Sequence, residues 1–163
     1  MPFPLLLVSA CLLGHAVRYD GGHRLCPRLA ALRQARWLPV CPEVLAGFGI
    51  PRPPLELRRK NGVTLAVRCA DGLDQTARLR EACLWIVRDG LSRGVLGAVM
   101  KSRSPSCAVE GAPLWEGDGN VRQEGVGLLV RALRELEPDL PVTDEDADAW
   151  QWADFLRQTG VDG

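Results

Sequence analysis

The chain has 163 residues, 47% of them apolar, and its twenty Lys and Arg balance twenty Asp and Glu, for a formal charge of zero. That size and apolar share suit a single core, and residues 1–163 are expected to form one domain. An even charge balance argues against a long nucleic-acid footprint and against attraction to an anionic membrane surface, leaving only local phosphate contacts.

The apolar run from Leu5 to Ala10 predicts a first strand that ends at Cys11. Val8-Ser-Ala-Cys11 imitates the end of a lipoprotein signal, but no Lys or Arg precedes the run and Pro2 and Pro4 interrupt it. It is also too short to span a bilayer, so a cytoplasmic protein is expected. The loop Val17–Gly22 carries two glycines that allow a close backbone approach. Leu25, Leu29 and Leu32 recur at helical spacing, predicting a helix over Arg24 to Trp37 with Pro27 in its first turn. Leu38 to Val40 reads as the second strand, leaving through Cys41 and Glu43.

Pro51-Arg-Pro-Pro54 gives a stiff connector. The alternation of Val63, Leu65 and Val67 before Asp71-Gly72 predicts a hairpin or edge strand over residues 55–72. Leu79, Cys83, Ile86 and Val87 share one face of a helix over Asp74 to Asp89, with Gly90 as its stop. Cys83 on that face reads as a small buried hydrophobe. Val95 to Met100 is a buried strand followed by Lys101-Ser-Arg-Ser-Pro-Ser-Cys107. The glycines from Gly111 to Gly127 read as a mobile or ligand-adjacent loop. A helical stripe follows over Glu124 to Glu137, then a short strand at Pro141-Val142 and a final helix capped by Thr143, with Asp144, Glu145 and Asp146 at its amino end. Helices alternating with short apolar runs predict an α/β sandwich, with a mostly parallel sheet and helices on both faces.

Three of the six cysteines, Cys11, Cys41 and Cys107, follow strand ends, the edge at which open α/β sheets hold ligands. Three soft ligands are one short of a closed zinc or iron–sulfur site. A structural zinc would take His15 or His23 as its fourth ligand, whereas a catalytic metal or cluster leaves a position open. Spacing alone fits a shared site and three separate buried thiols equally well.

Ser9-Ala-Cys-Leu-Leu-Gly14, Val17-Arg-Tyr-Asp-Gly-Gly22, Pro39-Val-Cys-Pro-Glu-Val-Leu-Ala-Gly47, Pro51-Arg-Pro-Pro54 and Lys101-Ser-Arg-Ser-Pro-Ser-Cys107 together resemble the thiouracil desulfidase family, in its order, from about residue 5 to about residue 145. The resemblance implies a [4Fe-4S] cluster held by Cys11, Cys41 and Cys107, with one iron not ligated by protein. It implies hydrolytic, non-redox removal of sulfur from a thiolated pyrimidine, thiouracil or thio-UMP, with release of sulfide. Glu43 beside Cys41 is then expected to carry the protons, although it is also placed to cap the helix that follows. Ser102, Ser104 and Ser106 could bond the ring or the incoming water, donate to cluster sulfurs or simply shape a turn beside Pro105, and Ser102 and Ser104 are the two expected in the site. Arg18, Arg52, Lys101 and Arg103 are cations for a nucleotide phosphate. Asp20 would orient Arg18 or accept from a ring N–H, and Tyr19 would stack on the base. Ala108 stands where the family has a glycine, and the region after Val109 departs further.

Two other classes remain open on the residues alone. One is a non-catalytic zinc or thiol-redox module, the other a persulfide carrier without a cluster.

Overall fold

The computed structural model describes residues 2–162. Strand β1 (Leu5–Ser9) lies inside a parallel sheet, flanked by β2 (Arg36–Val40) and β5 (Gly97–Met100), with β8 (Val142–Asp144) beyond β5. Leu6, Leu7 and Val8 are completely buried because both faces of β1 are covered. Pro39 is tolerated because β2 is an edge strand, where a missing N–H leaves no ladder bond broken on the outer side.

Leu7 faces a core shared with helices α3 (Thr76–Ser92) and α4 (Leu128–Leu136). Leu6 and Val8 face a second core with Leu29 of the one-turn helix α1 (Pro27–Ala30) and with Phe155 and Leu156 of α5 (Ala149–Thr159). Burying each such leucine contributes about 1.5–3 kcal/mol. Gly97 lets α5 approach β5: a Cβ there would sit 2.6 Å from Thr159 Cγ2. The expected parallel sheet with helices on both faces is therefore present.

A second, mixed sheet in the order β4-β3-β6-β7 packs onto the α3/α4 core through Leu55, Leu57, Ala66 and Leu114. Its strands are β3 (Leu55–Lys60), β4 (Val63–Arg68), β6 (Ala112–Trp115) and β7 (Val121–Gly125). β3 and β4 form the hairpin expected over residues 55–72.

Four local expectations are corrected. The helix over Arg24 to Trp37 shrinks to α1, because Arg36 and Trp37 pair with Leu5 and Leu6 as a strand. The glycine-rich stretch is the β6–β7 hairpin rather than a loop. Gly119 makes its turn at φ +85°, and a Cβ on Gly125 would lie 2.8 Å from the Ala112 carbonyl. Helix α3 continues through Gly90 to Ser92, since Gly90 packs toward Leu7 and Val95, and Gly94 turns the chain after it at φ +80°. The cap of α5 is Asp148, not Thr143. Its carboxylate accepts from Gln151 N at 2.8 Å while Gln151 Oε1 accepts from Asp148 N at 2.9 Å. Among the described residues, no helix is long and apolar enough to cross a membrane.

Candidate active site

Parallel pairing brings the carboxyl ends of β2, β1 and β5 side by side, and a cavity of about 480 Å³ opens there. Cys11, Cys41 and Cys107 all line it. Cys83 is instead buried in the α3/α4 core, as its helical position predicts. Glu43, Arg18, Tyr19, Arg52, Lys101, Ser102, Arg103 and Ser104 share the cavity wall. Asp20 lies outside it, in an exposed turn where Oδ1 accepts from Gly22 N at 2.9 Å and stands 4.0 Å from Arg18 Nε.

Cys41 starts the one-turn helix α2 (Pro42–Leu45), with Pro42 at the first position, where its missing N–H has no intrahelical partner to lose. Glu43 follows, buried, with each carboxylate oxygen engaged by a side chain. Arg52 Nε donates to Oε1 at 3.1 Å and Ser106 Oγ donates to Oε2 at 2.6 Å. Neither partner is a backbone N–H group of α2, so the carboxylate, although in the first turn of that helix, is directed to Arg52 and Ser106 and makes no capping hydrogen bond. Arg52 is fixed in turn by Gly49 O at 3.0 Å and lies 3.9 Å from Cys41 Sγ. Its guanidinium thus serves Glu43 and Cys41 rather than standing free in the cavity.

The Lys101–Cys107 loop is tied down at both ends. At one end, Ser104 Oγ accepts from Ser106 N at 3.2 Å and from Cys107 N at 3.1 Å. With both acceptor positions used, its own proton is what it can offer to the cavity. The first N–H groups of α4 close on the same loop, Leu128 N to Pro105 O at 3.2 Å and Leu129 N to Ser106 O at 2.8 Å. At the other end, Lys101 N donates to Ser9 Oγ at 2.8 Å. Lys101 Nζ donates to Ser102 O, Ser102 Oγ and Glu145 Oε1 at 3.0, 3.2 and 2.9 Å. Those contacts match the three donors an ammonium has.

Burial pushes all three cavity thiols above the usual thiol range. Arg18 and Lys101 partly oppose this at Cys11, and at Cys41 the backbone N–H of Val44 and the charge of Arg52 do so. At Cys107, which lies well above that range, the Ser9 hydroxyl opposes it. Thiols in such surroundings become thiolates when a bound cation compensates the charge. Among the described residues, no group of three Cys, His, Asp or Glu side chains is gathered as if around a single metal ion. The three thiols line a chamber instead, a soft donor set suited to an iron–sulfur cluster. Arg18 Nε is buried with no hydrogen-bond partner among the described residues, an unsatisfied donor on a side chain of the cavity wall.

Two side chains have partners that the sequence does not announce. Ser106 holds Glu43 from 63 positions away, and Glu145, expected only as charge at a helix start, grips Lys101 and Ser102. No local signal announces either: the parallel pairing of β5 with β8, which sets residues 101 and 145 beside each other, is visible only in the fold.

A family model described as 2-thiouracil desulfurase matches residues 6–145. The uncharacterized protein YbbK of Bacillus subtilis (strain 168) is 30% identical over 109 residues, which are 63% of this chain and 72% of that protein. The solved structure of the [4Fe-4S]-dependent thiouracil desulfidase TudS matches with a TM-score of 0.68 at 34% identity, covering 88% of this chain and 91% of that one.

Proposed function

Because the chain belongs to the 2-thiouracil desulfurase family, we propose that it hydrolyses the C=S group of a thiolated uracil, base or nucleotide, to C=O with release of sulfide. The observation that carries this reading is the meeting of three thiols and one anchored carboxylate at a single cavity. Cys11, Cys41 and Cys107 would hold a [4Fe-4S] cluster whose fourth iron has no protein ligand. What the cluster supplies when bound is a Lewis acid for the sulfur.

The chain's own residues do the remaining work. Glu43 takes one proton from the attacking water as the C–O bond forms and returns it to the sulfur as the C–S bond breaks, and the proton left on the new hydroxyl departs as C=O forms and completes the hydrogen sulfide. The balance is one water in and one hydrogen sulfide out, with no electron transferred. Arg52 and Ser106 hold the carboxylate so that it need not reorganise during the step. Ser104 offers its hydroxyl proton to the ring or to the water. Tyr19 supplies a stacking face, and Arg18, whose Nε has no partner among the described residues, serves with Arg103 as the cation for a substrate phosphate.

The test is sulfide release from 2-thiouracil, 4-thiouracil and 4-thio-UMP by anaerobically reconstituted protein, with the uracil product quantified alongside. Stoichiometric sulfide and uracil product without added reductant are expected. No sulfide from any of the three by protein that carries iron would overturn the proposal.

A further inference from the structure

The geometry points to Glu145 as a positioning residue that fixes how Ser102 faces the substrate, an inference that rests on the desulfuration proposed above. Met100 of β5 pairs with Asp144 of β8, so Lys101 and Glu145 leave neighbouring parallel strands side by side, though 44 positions separate them. Both side chains are largely withdrawn from water, at 13% and 12% exposure. An ion pair in that setting differs from a surface pair worth well under a kcal/mol.

Glu145 receives Ser102 N on both carboxylate oxygens at 3.0 Å, Lys101 Nζ on Oε1 at 2.9 Å, and the Ser102 hydroxyl on Oε1. Lys101 and Ser102 line the cavity, whereas Glu145 stands behind them. The arrangement decides the polarity of Ser102. Its hydroxyl proton is committed to Glu145 and one lone pair accepts from Lys101 Nζ at 3.2 Å, leaving the second lone pair for the cavity. Ser102 therefore accepts, from a ring N–H or from the attacking water, and does not donate. Lys101, with its three donors engaged inside the protein, orients Ser102 rather than binding a phosphate. Ser104, free to donate, and Ser102, fixed to accept, form a complementary pair across a ring that offers both a carbonyl-type acceptor and an N–H.

Four reconstituted proteins test this: wild type, Glu145→Gln, Ser102→Ala and the double variant. Iron content should be equal in all four. Each single change should lower kcat/KM about tenfold to a hundredfold, the range in which lost outer partners of a site act. The double variant should match Ser102→Ala within about twofold, the ordinary scatter of additivity, because Glu145 acts through Ser102. Acetylation of Lys101 by acetic anhydride, followed by mass spectrometry on the cluster-free chain, should speed up in Glu145→Gln. Multiplied losses in the double variant, or kcat/KM of Glu145→Gln within about twofold of wild type, overturn the inference. Should Glu145→Gln lose its cooperative melting, Glu145→Asp keeps the charge at shorter reach, and undiminished kcat/KM there overturns the inference equally. Absence of sulfide release from wild type is a failure of the desulfuration reading itself. In that event Lys101 labelling alone decides whether Glu145 holds the loop, and unchanged labelling rejects it.

Discussion

At the residue scale, the proposed chemistry depends on how Glu43 is held. A carboxylate with a guanidinium on one oxygen and a hydroxyl on the other is fixed in direction, so its chemistry can be removed without removing its bulk. Glu43→Gln should keep iron content at the wild-type level while slowing sulfide release about a hundredfold to ten-thousandfold, the contribution of a positioned acid or base. Unchanged sulfide release would show that another group carries the proton. Arg52→Ala tests the other half of the pair. Arg52 and Glu43 are both buried, so the change strands a carboxylate without its partner, at a cost of about 3–5 kcal/mol. For a chain of this size that corresponds to a fall in Tm of roughly 10 °C by differential scanning calorimetry. A shift of about 1 °C or less would mean that water replaces the guanidinium and that the pair is weaker than its burial implies.

At the scale of elements, the Lys101–Cys107 loop is held between a strand end and a helix start, and Gly127 is the point of closest approach. A Cβ there would meet Cys107 N and Ser106 C at 2.5 Å, distances that backbone atoms cannot accommodate without moving. Gly127→Ala should therefore displace Cys107 and Ser106 together, lowering both Tm and the iron retained after anaerobic reconstitution. Full iron retention with an unchanged Tm would show that the loop is not pinned there. The elements themselves were legible in the sequence to different degrees. β1, β5, α3 and the body of α4 follow a local pattern, an apolar run or a 3.6-residue stripe, but α4 starts at Leu128 rather than at the expected Glu124, because Val121–Gly125 form strand β7 against β6. The helix expected over Arg24 to Trp37 failed because the partner of Arg36 lies 31 residues earlier, and strand pairing overrode the leucine spacing. The glycines of the β6–β7 hairpin misled for a related reason: Gly125 serves a close strand approach that no neighbouring residue announces.

At the scale of the whole molecule, the parallel sheet turns distant positions into one cavity wall. Positions 11, 41 and 107 are far apart in sequence, yet each follows a strand of β2-β1-β5, and strand ends could be read locally. That is why a shared edge for the three thiols is one of two readings the strand ends allow, while the role expected of Glu43 comes from the family resemblance. Hydrogen-bond direction was not legible, since the grips of Ser106 on Glu43 and of Glu145 on Ser102 span 63 and 43 positions and depend on strand order. Arg52 and Lys101, expected as substrate cations, are instead occupied by Glu43 and Glu145 for the same reason: a charge is visible in sequence, but the partner that occupies it is not. The most direct test of a cluster held by Cys11, Cys41 and Cys107 is an iron and acid-labile sulfide count on anaerobically reconstituted wild type, Cys41→Ser and Cys83→Ala. About four irons and four sulfides per chain are expected in wild type, the cubane count, the same in Cys83→Ala, and a marked loss in Cys41→Ser. Wild type without iron, or Cys41→Ser loaded as fully as wild type, would contradict such a cluster.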